Sequence, residues 1–216
     1  MVRAGLTVDK IVQAAAEMAD EVGIENVTVS ALARRFGVRD ASLYSHIRNL
    51  AELRRRVALQ AGDEQAERIA EAVAGRAGRD ALVAFADAYR DYAREHPGRY
   101  AAMQIPVEPD AARGSRGVEV TAAMMRAYAL PDPDLTDAVR LLRSTFHGFI
   151  SLEANGAFGH PRDVQASWEK ALEALHRILT TWPTGDDGGR ARRDGGERRG
   201  AGPGPEPEAA SDEERE

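Results

Sequence analysis

Cysteine is absent from all 216 residues, which excludes disulfides, thiol nucleophiles and cysteine-ligated zinc or iron–sulfur centres. Long apolar runs are missing too. Nothing approaches the roughly 18 residues a membrane-spanning helix needs, and the N-terminus lacks the apolar stretch of a secretory signal. A cytoplasmic protein with no membrane partner is the expectation. Catalytic signatures are equally scarce: the histidines stand scattered at His46, His96, His147, His160 and His176. They form no His-Glu-x-x-His pair, and there is no phosphate loop, no Gly-x-Ser-x-Gly elbow and no paired carboxylates in a recognisable setting. His147 and Glu153 share a helix and are the nearest thing to a metal pair, but nothing fixes a third ligand. The reading is a binding protein, not an enzyme, with no cofactor.

What is present is ordinary globular composition, 43% hydrophobic and 30% charged. The net charge of −6 argues against a polyanionic partner only if charge is spread evenly, and it is not. Residues 1–60 carry nine Lys or Arg against seven Asp or Glu, so the N-terminal quarter is the basic part and the acidic excess lies beyond it.

Helical periodicity runs to about residue 182, with no alternating strand pattern between hairpin turns. The fold class expected is all-α. Thr7 stands as a cap before an apolar face of Val8, Ile11, Val12, Ala15, Met18, Ala19 and Val22, which Gly23 ends. Thr28 begins a short helix that Gly37 stops, and a third runs from about Arg39 or Asp40 to Ile47. Asn49 caps a long fourth helix reaching about Ala74. Further helices are expected near 79–95, 98–104, 115–129, 134–156 and 163–182, separated by prolines and glycines.

Helix, glycine turn and helix between Thr28 and Ile47 have a clear geometric logic. Leu32, Ala33, Val38, Leu43 and Ile47 close a small core, which turns Arg39, Ser42, Tyr44, Ser45 and His46 outward. Small Ala41 and Ser42 permit close approach to base edges, Tyr44 and His46 can donate to phosphates, and Arg39 and Arg48 flank the helix. Thr28 lies at a helix N-terminus, whose free amides attract a phosphate. Double-stranded DNA is the partner these residues suit.

Across residues 7–55 the pattern Thr7, Ile11, Ala14, Ala15, Met18, Gly23, Thr28, Leu32-Ala33, Gly37-Val38, Ser42-Leu43-Tyr44, His46 and Leu53 resembles the TetR family of transcriptional regulators. That resemblance implies a helix-turn-helix DNA-binding domain over residues 1–50. A helical ligand-binding and dimerisation domain would follow over 51–183, the whole acting as a homodimeric repressor released from a palindromic operator by a small molecule. Two positions depart from the pattern: Ile47 stands where Phe is common, and Leu50 where a phosphate-binding Lys is usual. Arg48, Arg54, Arg55 or Arg56 would have to replace the lost contact. The segment Phe146-His147-Gly148-Phe149, with Trp168 beyond it, resembles a TetR subclass marked by a Trp, His and Gly signature.

Leu135, Val139, Leu142, Phe146, Phe149 and Ile150 on one helix face Val164, Trp168, Leu172, Leu175, Ile178, Leu179 and Trp182 on the next. Stripes this long are more than one chain can cover, which fits a two-fold dimer. Gly148 reads as a point of close helix approach. The effector site is expected among Phe85, Tyr89, Tyr100, Met103, Met124, Tyr128, Phe146 and His147, with His147 as polar handle. Residues 184–216 hold no large apolar side chain and read as a disordered tail. The alternative reading is a helical small-molecule-binding or scaffolding dimer with a vestigial DNA head.

Overall fold

The structure, a computed structural model, describes residues 5–106 and 115–183; the tail at 184–216 lies outside them. Its regular elements are all helical, and no strand occurs among the described residues. Helix α1 spans Val8–Val22, and the Thr7 hydroxyl accepts from the Lys10 amide at 3.3 Å. Gly23 ends it at φ 86°, a conformation that a β-carbon disfavours. Helix α2 spans Val29–Phe36, with the Thr28 hydroxyl accepting from the Ala31 amide at 3.2 Å. Gly37, left-handed at φ 65°, closes it with its N–H on the last-turn carbonyls.

Helix α3 is only Asp40–Tyr44, shorter than the periodicity implied. The amides of His46 and Ile47 both turn back to the Leu43 carbonyl, and the Ser45 hydroxyl donates to the Ser42 carbonyl at 2.7 Å. Such local side-chain bonds compete with helix continuation. Helix α4, Leu50–Val73, begins with a reciprocal cap. The Asn49 side chain accepts from the Glu52 amide at 2.8 Å while the Glu52 carboxylate accepts from the Arg48 amide at 2.6 Å.

Helices α5 (Gly78–Glu95), α6 (Pro97–Ala102), α7 (Arg116–Met125), α8 (Asp134–Ala154) and α9 (Val164–Thr180) follow among the described residues. A 3₁₀ turn, Arg126–Tyr128, extends α7. Proline opens α6, where its missing N–H costs nothing.

Two apolar cores organise these helices. The first gathers Ile11, Ala15 and Met18 of α1 with Leu32, Leu43, Ile47, Leu53 and Val57, and it takes Ala102 from α6. Burying each large aliphatic side chain here contributes about 1.5–3 kcal/mol. Val38, read from the sequence as part of this core, is instead 37% exposed; its N–H closes the glycine turn on the Ala33 carbonyl at 3.0 Å, and its side chain is left outside the core. The second core joins Ile69 of α4 to Phe85, Tyr100, Met125, Phe146, Trp168 and Leu175. Two helices therefore feed both: α4, and α6 with Ala102 in the first core and Tyr100 in the second.

Candidate functional site

Outward side chains on the α2–α3 unit form one continuous face. Arg39, Ala41, Ser42, Tyr44, Ser45 and Arg48 are exposed and His46 is half-buried, while Leu43 beneath them is fully buried. Tyr44 is 54% exposed, with its ring outward beside Ser42 and Ser45. Thr28 spends its hydroxyl on capping α2. The Ser30 hydroxyl donates to Asp40 at 2.5 Å, tying the start of α3 to α2.

The four arginines considered as replacements for the missing lysine divide by geometry. Arg54 turns inward and donates to the carbonyls of Glu25 and Val27 at 2.8 and 3.3 Å. Arg56 pairs with Glu52 one turn back, at 2.7 Å. Arg48 and Arg55 remain exposed without an ion pair among the described residues.

The head is locked to the body at the α1–α6 contact. A β-carbon at Gly98 would overlap the Ala19 carbonyl group, so only glycine lets α6 sit this close to the end of α1. Asp20 of α1 accepts from the Arg99 amide at 2.9 Å and lies 3.1 Å from both the Arg99 Nε and the His96 ring. Arg99 also reaches Glu64 of α4 at 3.0 Å, and the Tyr92 hydroxyl donates to the same carboxylate at 3.0 Å. Burial works against ionisation of Glu64, but donation from Gln60 and Tyr92 and the Arg99 charge outweigh it and hold the carboxyl below its usual range. No local signal marks this network, because its members come from four helices.

Seven of the eight residues named for the effector site lie in or against the second core, and His147 joins them through Tyr100. Tyr89 meets Tyr100 edge-on at 5.9 Å and Phe146 at 5.8 Å, and Phe85 lies 6.3 Å from Phe146. The Tyr100 hydroxyl is 2.8 Å from Nδ1 of His147. Burial pushes the phenols of Tyr89 and Tyr100 upward, keeping both neutral. Tyr128 is half-buried with its hydroxyl 3.1 Å from His176. Met124 is buried and Met103 half-buried at the edge of the cluster. Two open clefts lie elsewhere, one of about 530 Å³ along α4 and α5 beside Arg68 and Arg79, the other of about 660 Å³ between α1, α2 and α4.

Behind the aromatic cluster stands Arg90, a cation only 4% exposed. It grips Glu153 with two nitrogens and Gln165 with a third, and lies over the rings of Phe149 and Trp168 at 5.5 and 5.0 Å. Glu153 is thus committed to an arginine, which removes it from any metal pair with His147. Trp168, fully buried, donates to Asp87 at 2.8 Å. A β-carbon at Gly148 would meet nothing within 4 Å, so within the chain this glycine does not serve close helix approach. No helix among the described residues is long and apolar enough to cross a membrane.

An exposed second helix of a helix-turn-helix, carried on an all-helical body, defines a DNA-binding transcriptional regulator. Residues 11–57 match the model of bacterial regulatory proteins of the tetR family, and residues 82–175 that of the tetracyclin repressor-like C-terminal domain. YobS of Bacillus subtilis (strain 168), described as an uncharacterized HTH-type transcriptional regulator, is 34% identical over 186 residues, 85% of this chain and 94% of YobS. The chain belongs to the TetR family. The same fold recurs in BioQ solved with its natural double-stranded DNA operator, 23% identical over 82% of this chain and 99% of that one, TM-score 0.60. It recurs as well in ActR of Streptomyces coelicolor in complex with actinorhodin, 21% identical over 82% and 98%, TM-score 0.63.

Proposed function

We propose that this regulator is a homodimeric repressor that holds a palindromic operator through α2 and α3 and is released by a small molecule. The observation that carries the reading is the α3 face, where Tyr44, Ser42 and Ser45 stand outward over a buried Leu43. Arg39, Ala41, His46 and Arg48 extend that face, with Thr28 at its edge. Arg48 and Arg55 are the side chains free to take the phosphate that Leu50 cannot. BioQ on its operator and ActR with actinorhodin support the two halves of the reading.

The effector lies among Phe85, Tyr89, Tyr100, Met103, Met124, Tyr128, Phe146 and His147, an aromatic and thioether surface with a Tyr–His handle. A ligand there shifts the head only by favouring one α6 position over another, and the α1–α6 lock passes that shift on. Dimerisation uses α8 and α9, whose outer sides expose Leu152 and Ile178 at 48% and 41%. Gly148 lies one turn from Leu152 on that side, where it admits the partner helix. In this reading residues 1–50 bind DNA, 51–183 bind effector and partner, and the protein acts in the cytoplasm by binding alone.

The test is binding of the purified protein to the DNA flanking its own gene over a salt series. Affinity that falls linearly in log–log form on one palindrome supports the repressor, because each neutralised phosphate releases counterions. Weak binding that is indifferent to sequence sinks it.

A further inference from the structure

We infer that Asp40 reads a base, selecting cytosine at one position of each operator half-site through a hydrogen bond from the cytosine N4 amino group. The inference rests on α3 being the recognition helix. In helix-turn-helix complexes the first residues of that helix face the base edges of the major groove, and Asp40 is the first residue of α3 and is exposed. It is the only carboxylate on a face otherwise made of Arg39, Ala41, Ser42, Tyr44 and Ser45.

A carboxylate lowered between phosphates is repelled unless a base donor meets it. Of the four bases, guanine offers only acceptors in the major groove and thymine an acceptor and a methyl. Adenine sets its amino donor beside the N7 acceptor, which suits a group that both donates and accepts. Cytosine alone presents a donor with no acceptor next to it on the same base. The Ser30 hydroxyl holds Oδ2 at 2.5 Å, which restrains the carboxylate and leaves Oδ1 without a hydrogen-bond partner among the described residues. Adjacent Ala41 is small enough to let the backbone approach. Repulsion from guanine and thymine at that position makes the same carboxylate a device against wrong sites.

The experiment selects binding sequences from a randomised duplex pool with the full chain and with Asp40→Asn, Asp40→Ala and Ser30→Ala. Asn keeps an acceptor for Ser30, so it preserves the tie between helices and changes only what is offered to DNA. The expected result is a palindrome from the parent chain with one cytosine per half-site that Asp40→Asn replaces with a base presenting an acceptor, guanine or thymine, because the amide oxygen stays with Ser30 and only the NH2 group faces the groove. That position alone turns degenerate with Asp40→Ala, and Ser30→Ala keeps cytosine with a weaker preference. Replacing this cytosine costs the parent chain roughly tenfold or more in affinity. A parent palindrome that Asp40→Asn leaves unchanged at every position overturns the inference while sparing the DNA reading. Failure of the parent chain to enrich any motif overturns both.

Discussion

Arg90 and Glu153 meet as a two-pronged ion pair, Nε to Oε2 at 2.8 Å and Nη2 to Oε1 at 2.5 Å, joining α5 to α8. The third guanidinium nitrogen crosses to Gln165 of α9 at 2.7 Å. Removing the cation strands a carboxylate and opens the space beneath Trp168. Arg90→Ala is expected to lose about 3 kcal/mol of stability, the lower end for a broken buried pair because Glu153 keeps some solvent. Urea titration checks it; a loss under about 1 kcal/mol would show that α5, α8 and α9 do not depend on this pair.

The same pair sets a response to acid. Hydrogen bonding from Arg90 holds the Glu153 carboxyl below its usual range, and Glu52, Glu64, Glu95 and Glu173 are also lowered through arginine or amide partners. A carboxyl whose folded value is depressed stabilises the fold above its unfolded value, and that contribution is lost as pH falls through the folded value. The urea midpoint should therefore drop as pH falls from about 5 to below about 4. In Glu153→Gln the drop should be shallower. An identical slope in parent and variant contradicts the assignment.

Gly98→Ala tests the seat of α6 on α1. The added methyl has the Ala19 backbone in its way, and a backbone carbonyl yields less readily than a side chain. Overpacking of this kind costs about 1–3 kcal/mol. A melting curve should show that loss, and operator affinity should fall further than stability alone explains because the head is displaced. Full operator affinity in a folded Gly98→Ala protein would mean that the seat does not position the head.

Tyr44→Ala removes a side chain that the fold does not need, since it is over half exposed. Thermal stability should change by no more than about 0.5 kcal/mol, whereas the affinity for the operator should fall clearly in a gel shift. Unchanged affinity would move the DNA-binding face away from α3.

Leu152→Glu combined with Ile178→Glu places charge on the outer sides of α8 and α9. Sedimentation should then report a monomer that keeps its helical content. Operator binding should weaken steeply, since two half-sites are no longer held by one particle. A double variant that sediments as a dimer would place the interface elsewhere.

Local chemistry made the helix boundaries legible. Thr7, Thr28 and Asn49 are the caps the sequence pointed to, with Gly23 and Gly37 as stops. Each of these signals lies within a few residues of what it controls. What could not be read depends on chain partners far away in sequence. Nothing local sets Arg90 apart from other helix arginines, and its partners Glu153 and Gln165 lie 63 and 75 residues away. Gly98 likewise meets Ala19 from the far end of another helix. Val38 misled because the apolar pattern around a glycine turn does not say which way the chain leaves the turn. The aromatic cluster was legible as a group, but not the pairing of Tyr100 with His147 or of Tyr128 with His176.

The placement of α4 in both cores makes it a lever. Leu53 is anchored in one core and Ile69 in the other, which at ~1.5 Å per residue puts the anchors roughly 24 Å apart. Tilting that arm by about 5° about the Ile69 end carries the Leu53 end about 2 Å. In a two-fold pair the displacement is mirrored, so the gap between reading heads changes by up to about twice that, enough to break hydrogen bonds to bases that tolerate only a few tenths of an ångström. The body needs to move very little for the heads to lose their register on DNA.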